Sequence, residues 1–446
     1  MPDSETEVPT LLKLALISER ACREPDCQFT SLAHLLNERF LEHCYHRLGR
    51  DRASGVDGVS WHEYGLHLEE NLRDLVARLK AKRYTPLPAR RVYIPKDEHS
   101  MRPLGLPALE DKIVQKAIAL ILEAIYEADF LDCSYGFRPG RNCHQSLDVV
   151  DKTVMRNPIN HVIDADIKGF FDTVSHAWML KFLGVRIVDP SFLQLIERFL
   201  KAGYMDSDLL VATERGTPQG GNLSPVLSNI FLHYVLDLWF TKRIRNRVRG
   251  VCFLIRYADD FVILVQYQED ALYLVQALRE RFAQFDLELH PEKTRVLSFG
   301  RYERENAKRQ GRRAHTFDFL GFTHYCGRSR RGKFIVGRRT SRKKFRKKCQ
   351  ELNDWLKDTR NTQPVKEWWP ILAAKLRGHY QYYGVSGNML QLRGFYRVAV
   401  RLALKWLNRR SQRRSFSWGG FTSYLKHYPL PTPRIFHNFY TLAAAK

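Results

Sequence analysis

No apolar run in the 446-residue chain approaches the roughly 20 residues that a membrane-spanning helix needs, so no membrane partner is expected. The opening residues, Met-Pro-Asp-Ser-Glu-Thr-Glu, lack the basic-then-apolar order of a secretory signal. Eight cysteines (Cys22, Cys27, Cys44, Cys133, Cys143, Cys252, Cys326 and Cys349) form no CxxC pair, and Cys22, Cys27, His43 and Cys44 match no zinc-finger spacing. Reduced thiols and a cytoplasmic location are therefore expected. Acidic charge is also in short supply. Lys and Arg number 72 against 48 Asp and Glu, giving a net charge of +24 and a pI near 9.8. Such a balance makes a polyanion the natural partner. With 44% hydrophobic residues, the chain has material for two or three domains with cores of their own, and it contains no internal repeat.

The chemistry gathers around Phe253 to Val265, Phe-Leu-Ile-Arg-Tyr-Ala-Asp-Asp-Phe-Val-Ile-Leu-Val, which reads as two buried strands joined by a tight turn. Asp259 and Asp260 on a surface hairpin would be unremarkable. Held side by side among apolar residues, however, two carboxylates repel each other and lose hydration, and a divalent cation is the natural compensation. That reading requires a third carboxylate and a polyphosphate site elsewhere. The stretch His161 to Asp172 supplies Asp164, Asp166 and Asp172 at the end of an apolar strand; alternation puts Asp164 and Asp166 on one face and does not choose between them.

Other segments supply positive charge and close backbone approach. Arg90 to Lys96 and Met101 to Pro107 read as two limbs of a hairpin, with Lys96 and Arg102 placed to grip a triphosphate. Tyr135-Gly136-Phe137-Arg138-Pro139-Gly140-Arg141 is a loop of rings and arginines suited to a nucleic-acid backbone and stacked bases. Glu214 to Pro225 is a glycine-rich turn that opens an apolar helix over Val226 to Phe240; it is no P-loop, lacking Gly-Lys-Ser/Thr at the required spacing. Residues 301–348 carry 18 Lys or Arg against 3 Asp or Glu. Interleaved Phe317, Phe319, Phe322, Tyr325, Phe334 and Phe345 predict folded structure with a basic face there. Helical periodicity resumes from Val365 to Leu407.

Arg102-Pro103-Leu104-Gly105, Tyr135 to Arg141, Asp166-Ile167-Lys168-Gly169-Phe170-Phe171-Asp172, Pro218-Gln219-Gly220 and Tyr257-Ala258-Asp259-Asp260 stand in the order of successive blocks of group II intron-encoded reverse transcriptases, a family the sequence closely resembles from about residue 50 onward. The resemblance implies an α+β right-hand polymerase of fingers, palm and thumb, with an antiparallel palm sheet and a helical, basic C-terminal thumb or maturase domain. The corresponding division is 1–85 for a helical N-terminal extension and the start of the fingers, 86–310 for fingers and palm, and 311–446 for the palm end, thumb and RNA-binding part. It implies RNA-directed DNA synthesis by two-metal nucleotidyl transfer, from dNTPs on an RNA template and DNA primer, with two Mg²⁺ ions for which Mn²⁺ can substitute. Asp166, Asp259 and Asp260 match the catalytic triad, with Ile167 beside them in the metal set. Lys96, Arg102, Phe171, Gln219 and Lys293 match nucleotide contacts, Phe171 as the gate against a ribose 2′-hydroxyl. Arg138, Arg141, Arg377 and Tyr380 are expected to touch nucleic acid, the last two within Leu376 to Gly384, which resembles the thumb segment that binds intron RNA. A maturase role on group II intron RNA follows from the same match. The alternatives are an intron-free relative serving the host, and an RNA-binding splicing factor that has lost polymerisation; an intact triad speaks against the second.

Overall fold

The computed structural model describes residues 8–95, 101–207, 209–217, 220–410 and 415–440. Among these residues the chain forms eleven strands: β1 (Ala89–Pro95), β2 (Met101–Leu106), β3 (His161–Asp166), β4 (Tyr204–Asp206), β5 (Leu209–Val211), β6 (Cys252–Tyr257), β7 (Asp260–Val265), β8 (Arg295–Ser298), β9 (Thr316–Phe319), β10 (Phe322–Arg328) and β11 (Phe334–Thr340). The central sheet has the order β6-β7-β3-β8 and is antiparallel throughout. A second sheet, β2-β1-β4-β5, contains the expected β1–β2 hairpin and one parallel pairing, β1 with β4. The third, β11-β10-β9, is antiparallel.

Alternation along the central strands explains why this sheet lies between two cores. Ile163 and Ala165 on β3, with Phe261, Ile263 and Val265 on β7, face one apolar cluster. Val162 on β3, with Val262 and Leu264 on β7, faces the other. The first cluster is built largely from helices on the N-terminal side. Among them is Leu109–Tyr126, which carries a narrow charged stripe through Lys112, Lys116 and Glu123 and has twelve of its eighteen residues buried, as a helix largely enclosed by others must be. Asp189 caps the helix Pro190–Lys201, accepting from the Ser191 and Phe192 amides. It also accepts from the Leu32 and Ala33 amides, so one carboxylate ties the N-terminal segment to the core. Four amide donors outweigh the burial that opposes ionisation and hold its pKa below the usual range.

The second cluster joins the helix Cys143–Arg156 to β9–β11 and the helices Arg342–Thr362, Val365–Tyr383 and Met389–Leu407. The basic stretch after Arg301 is thus folded, with Phe317, Phe319 and Phe322 buried and Lys343, Arg346 and Lys347 directed outward or half-buried. One element departs from expectation. The helix after the glycine-rich turn runs as an α-helix over Ser224–Leu232 and continues through two π-type turns, His233–Asp237 and Phe240–Ile244. The wider turn ends on Asp237, a fully buried carboxylate whose partner lies on the central sheet.

Candidate active site

β6 and β7 pair through Tyr257 and Asp260, leaving Ala258 and Asp259 as the two loop residues of a hairpin. Ala258 has φ +58, a left-handed conformation that costs an alanine about 1 kcal/mol and that the surroundings must enforce. Arg256 does so. Its side chain is fully buried, with Nε 2.8 Å from Asp237 Oδ1 and a terminal nitrogen 2.5 Å from Oδ2. The other terminal nitrogen donates to Asn229 Oδ1 at 3.0 Å and to the Ala258 carbonyl at 2.9 Å. Asn229 in turn donates to the Gly136 carbonyl at 2.7 Å. The segment around Ser134 runs parallel beside Arg256, with Tyr135 N donating to the Arg256 carbonyl and Arg256 N to the Cys133 carbonyl. A Cβ on Gly136 would overlap the Ala258 amide nitrogen and lie 2.9 Å from the Tyr257 carbonyl carbon, so only glycine permits this approach.

The turn stands beside the end of β3, where Asp166 is the register partner of Asp260. Three carboxylates thereby share one end of the sheet. Burial at the floor of the cleft, followed by Asp259, Asp164 and Asp166, raises the Asp260 carboxyl to about 7 even though its side chain opens on the cleft. Asp259 is raised chiefly by burial, with Asp166 adding repulsion and Arg102 opposing it. Asp166 Oδ2 lies 2.5 Å from Lys293 Nζ, while Asp164 pairs with Arg295 at 3.1 Å. The structure therefore separates the two candidates on β3: Asp166 is level with Asp260, and Asp164 is one pleat back. Asp172 is exposed on the short helix Phe170–Thr173.

As they stand, no three Asp, Glu, His or Cys side chains among the described residues are gathered closely enough to hold one metal ion. The donor chemistry nevertheless fits a hard divalent cation. Asp259 and Asp260 are oxygen donors raised chiefly by burial, with neighbouring carboxylates adding repulsion, and no described salt bridge compensates either. Ile167 is buried and its carbonyl accepts no hydrogen bond from the described residues, which leaves a further oxygen at the strand end.

Around the carboxylates, Phe171 is half-buried, its carbonyl receiving the Thr217 amide at 2.7 Å, and Gly220 abuts Gly105 on β2. Arg102 is exposed on β2 and close enough to Asp259 to lower its pKa. Lys96 and Gln219 lie outside the described residues. On the opposite side, the β9–β10 turn, Leu320 and Gly321, both at positive φ, brings the Leu320 amide to Asp260. Tyr382 donates to the Leu320 carbonyl at 3.0 Å. Here a cavity of about 780 Å³ opens between Asp260, Lys344, Lys347, Lys348 and Tyr382.

Two expected nucleic-acid contacts are corrected. Arg138 is buried, its guanidinium held by Glu127 at 2.6 Å and by the carbonyls of Leu131 and Ser134, so no donor is directed outward. Tyr380 is 2% exposed and its hydroxyl donates to the Pro431 carbonyl, which makes it a core residue. Arg141 is three-quarters buried and paired with Asp132 at 2.6 Å, whereas Arg377 is exposed. The outward-facing residue of the loop is Phe137, at φ +56, 53% exposed and 6.3 Å from the Tyr257 ring. The sequence reading missed Arg256, Asp237 and Asn229. Their signal was a charged residue within each of two apolar stretches, a strand and a helix, which forces a buried pair.

The chain belongs to the reverse transcriptase (RNA-dependent DNA polymerase) family, which matches residues 94–324. Several of the curated proteins it is similar to are encoded by introns. It is 39% identical over 238 residues to the group II intron-encoded protein LtrA of Lactococcus lactis subsp. cremoris, covering 52% of this chain and 39% of that protein. It is 36% identical over 275 residues to protein YkfC of Escherichia coli, covering 54% of this chain and 71% of that protein. A 91 kDa protein in the cob intron of Schizosaccharomyces pombe is 38% identical over 161 residues, covering 36% and 20% respectively. The match thus spans about two fifths of the length of the Lactococcus relative.

Proposed function

We propose that the chain copies RNA into DNA from a DNA primer, and that a group II intron encodes it and is bound by it as the RNA of a maturase. The observation that carries this reading is the register of Asp166 with Asp260 beside the Ala258-Asp259 turn, which brings three carboxylates to one strand end, two of them without a described salt bridge. In this reading the central sheet is the palm, the β1–β2 hairpin belongs to the fingers, and the helices from Arg342 onward form the thumb. The Asp triad and the Ile167 carbonyl would hold two Mg²⁺ ions. When bound, such ions activate a primer 3′-hydroxyl and neutralise charge on the attacked and leaving phosphate oxygens.

The remaining roles belong to the chain's own residues. Arg102 binds the triphosphate with Lys96, and Gln219 contacts the incoming nucleotide. Phe171, fixed through the Thr217 amide, presents a ring against the sugar. Lys293 orients Asp166. Phe137 offers a face on which a template base can stack. Arg141 and Arg377 contact the RNA backbone, and a cytoplasmic location belongs to the same proposal. The test is Mg²⁺-dependent primer extension on an RNA template. Asp259→Ala and Asp260→Ala should each abolish extension while RNA affinity stays within about twofold, since neither carboxylate favours a phosphate. Undiminished cDNA synthesis by either variant would refute the assignment.

A further inference from the structure

A second cavity, of about 1140 Å³, lies at the other end of the central sheet. Its walls include His161, Gln266 and Ser298, which stand at the ends of β3, β7 and β8 opposite to Asp166 and Asp260. Six residues of β3, roughly 16 Å of strand, separate the two sites, with the sheet and its packed faces between them. A ligand here is therefore outside the carboxylate cleft. The cavity is also larger than the roughly 300–1,000 Å³ of small-molecule sites.

The charge in its lining is not self-cancelling. Glu303 is buried and occupied by Arg312 at 2.6 Å and by the His315 amide, and Glu305 is occupied by Arg328. Arg301, Arg304, Arg309 and Lys333 are exposed in the same lining and make no ion pair among the described residues. Tyr302 and Tyr267, 61% and 41% exposed, stand among them with the half-buried ring of Phe334. Unpaired cations interleaved with exposed rings are the requirements of a single nucleic-acid strand: guanidinium groups follow the phosphates and rings accept unstacked bases. A duplex would conceal its bases from the rings, and an acidic protein would use the cations only.

We infer that this cavity is a second RNA site, taking a single-stranded segment of RNA while the carboxylate cleft holds template and primer. The inference deepens the proposed RNA-binding role and rests on it only for the identity of the natural RNA. Arg301, Arg304 and Arg309 lie on or next to the helix Glu303–Arg309, anchored to the sheet end by Gly300, whose backbone packs against Ile159. A strand held there is thus fixed relative to the polymerase centre.

The probe is a fluorescein-labelled 20-nucleotide oligouridylate RNA, added to protein already saturated with a short RNA-template/DNA-primer duplex. The primed complex should bind the probe, with affinity falling steeply as salt rises. The triple variant R301Q/R304Q/R309Q should bind at least about tenfold more weakly, with a salt slope shallower by about 2, from three phosphate contacts at about 0.7 each. Tyr302→Ala should lower affinity about fivefold or more with the slope unchanged. Both variants should extend the short primer at the wild-type rate. The inference is overturned if the primed complex does not bind the probe, if the variants bind like wild type, or if their primer extension falls in parallel, which would put the cavity on the template path. Failure of the wild-type protein to extend any primer would instead overturn the proposed polymerase function and leave the probe measurement intact.

Discussion

Arg256 and Asp259 are three residues apart on one hairpin, and their charges are treated in opposite ways. Arg256 is wholly buried and wholly answered by Asp237, Asn229 and the Ala258 carbonyl. Burial first, and carboxylate neighbours after it, push the Asp259 and Asp260 pKa values upward, and neither has a described salt bridge. A buried charge without a partner is strongly unfavourable, so the protein has completed the pair that holds the turn and left incomplete the pair that the turn presents. The contrast distinguishes a scaffold from a working site: the scaffold's electrostatics close within the chain, while the working site's carboxylates are left with charge that a bound cation would answer.

The largest effect should come from breaking the closed pair. Asp237→Ala strands a buried guanidinium and should destabilise the fold by about 3–5 kcal/mol in chemical denaturation. The double variant Arg256→Met/Asp237→Leu removes both charges and should recover most of that stability, as replacement of a buried pair by apolar residues often does. It cannot restore the hydrogen bond to the Ala258 carbonyl. Primer extension should therefore remain depressed in the double variant, with the loss in kcat. A double variant that regains both stability and full kcat would show that the pair is a fold element with no role in placing Asp259.

A somewhat smaller effect sets the two regions against each other in pH. His233, 2% exposed and packed edge-on against Phe130, has its pKa pushed down to about 4, mainly by burial, with Arg256 adding to the shift and Asp237 opposing it. Below about 6.5 the unfolded chain takes up a proton that the folded one refuses. Stability from this group is thus complete above pH 6.5 and is lost as pH falls towards 4, by roughly 3 kcal/mol over the window. Asp260, raised to about 7, acts in the other direction: in metal-free protein its contribution is lost as pH rises from about 4 to 7. The two slopes oppose each other over this shared window, so thermal melts of metal-free His233→Gln should lose stability more steeply than wild type as pH rises from about 4 to about 7. An unchanged pH profile would assign the acid-driven loss to other groups, such as the buried His324.

Much of this arrangement is legible in the sequence. The Asp-Asp hairpin follows from two apolar runs around a short turn, the β1–β2 hairpin from prolines that forbid helix, and the folded basic stretch after Arg301 from aromatic residues interleaved with its charge. What alternation left open was the choice between Asp164 and Asp166, which share a face; only the register with Asp260 separates them. The orientation of the Tyr135–Arg141 loop was not legible either. Two arginines and two rings in a loop look alike in sequence, yet Arg138 turns in to Glu127 and Phe137 turns out, because the loop must satisfy the carbonyls of Leu131 and Ser134. Tyr380 failed for a related reason: an aromatic residue on a basic helix fits core and RNA surface equally well until its neighbours are known. The π-type turn that ends on Asp237 has no sequence signature beyond the charge itself.

The smallest of these effects tests how tightly the scaffold controls the working site. Gly136 packs against the backbone of the turn, where an added methyl would meet the Ala258 amide nitrogen and the Tyr257 carbonyl carbon, neither of which is a flexible side-chain end. Gly136→Ala must therefore shift the turn or the loop, and overpacking of this kind costs about 1–3 kcal/mol. The buried network resists movement of Ala258, since its carbonyl is held by Arg256 and the loop is held by Asn229 through the Gly136 carbonyl. The strain should then emerge at Asp259, whose side chain makes no salt bridge among the described residues. The expected result is a modest loss of stability with a disproportionate rise in the Mg²⁺ concentration needed for half-maximal extension. A stability loss with unchanged Mg²⁺ dependence would mean that the loop yields and the turn does not, and the scaffold would then extend no further than Arg256.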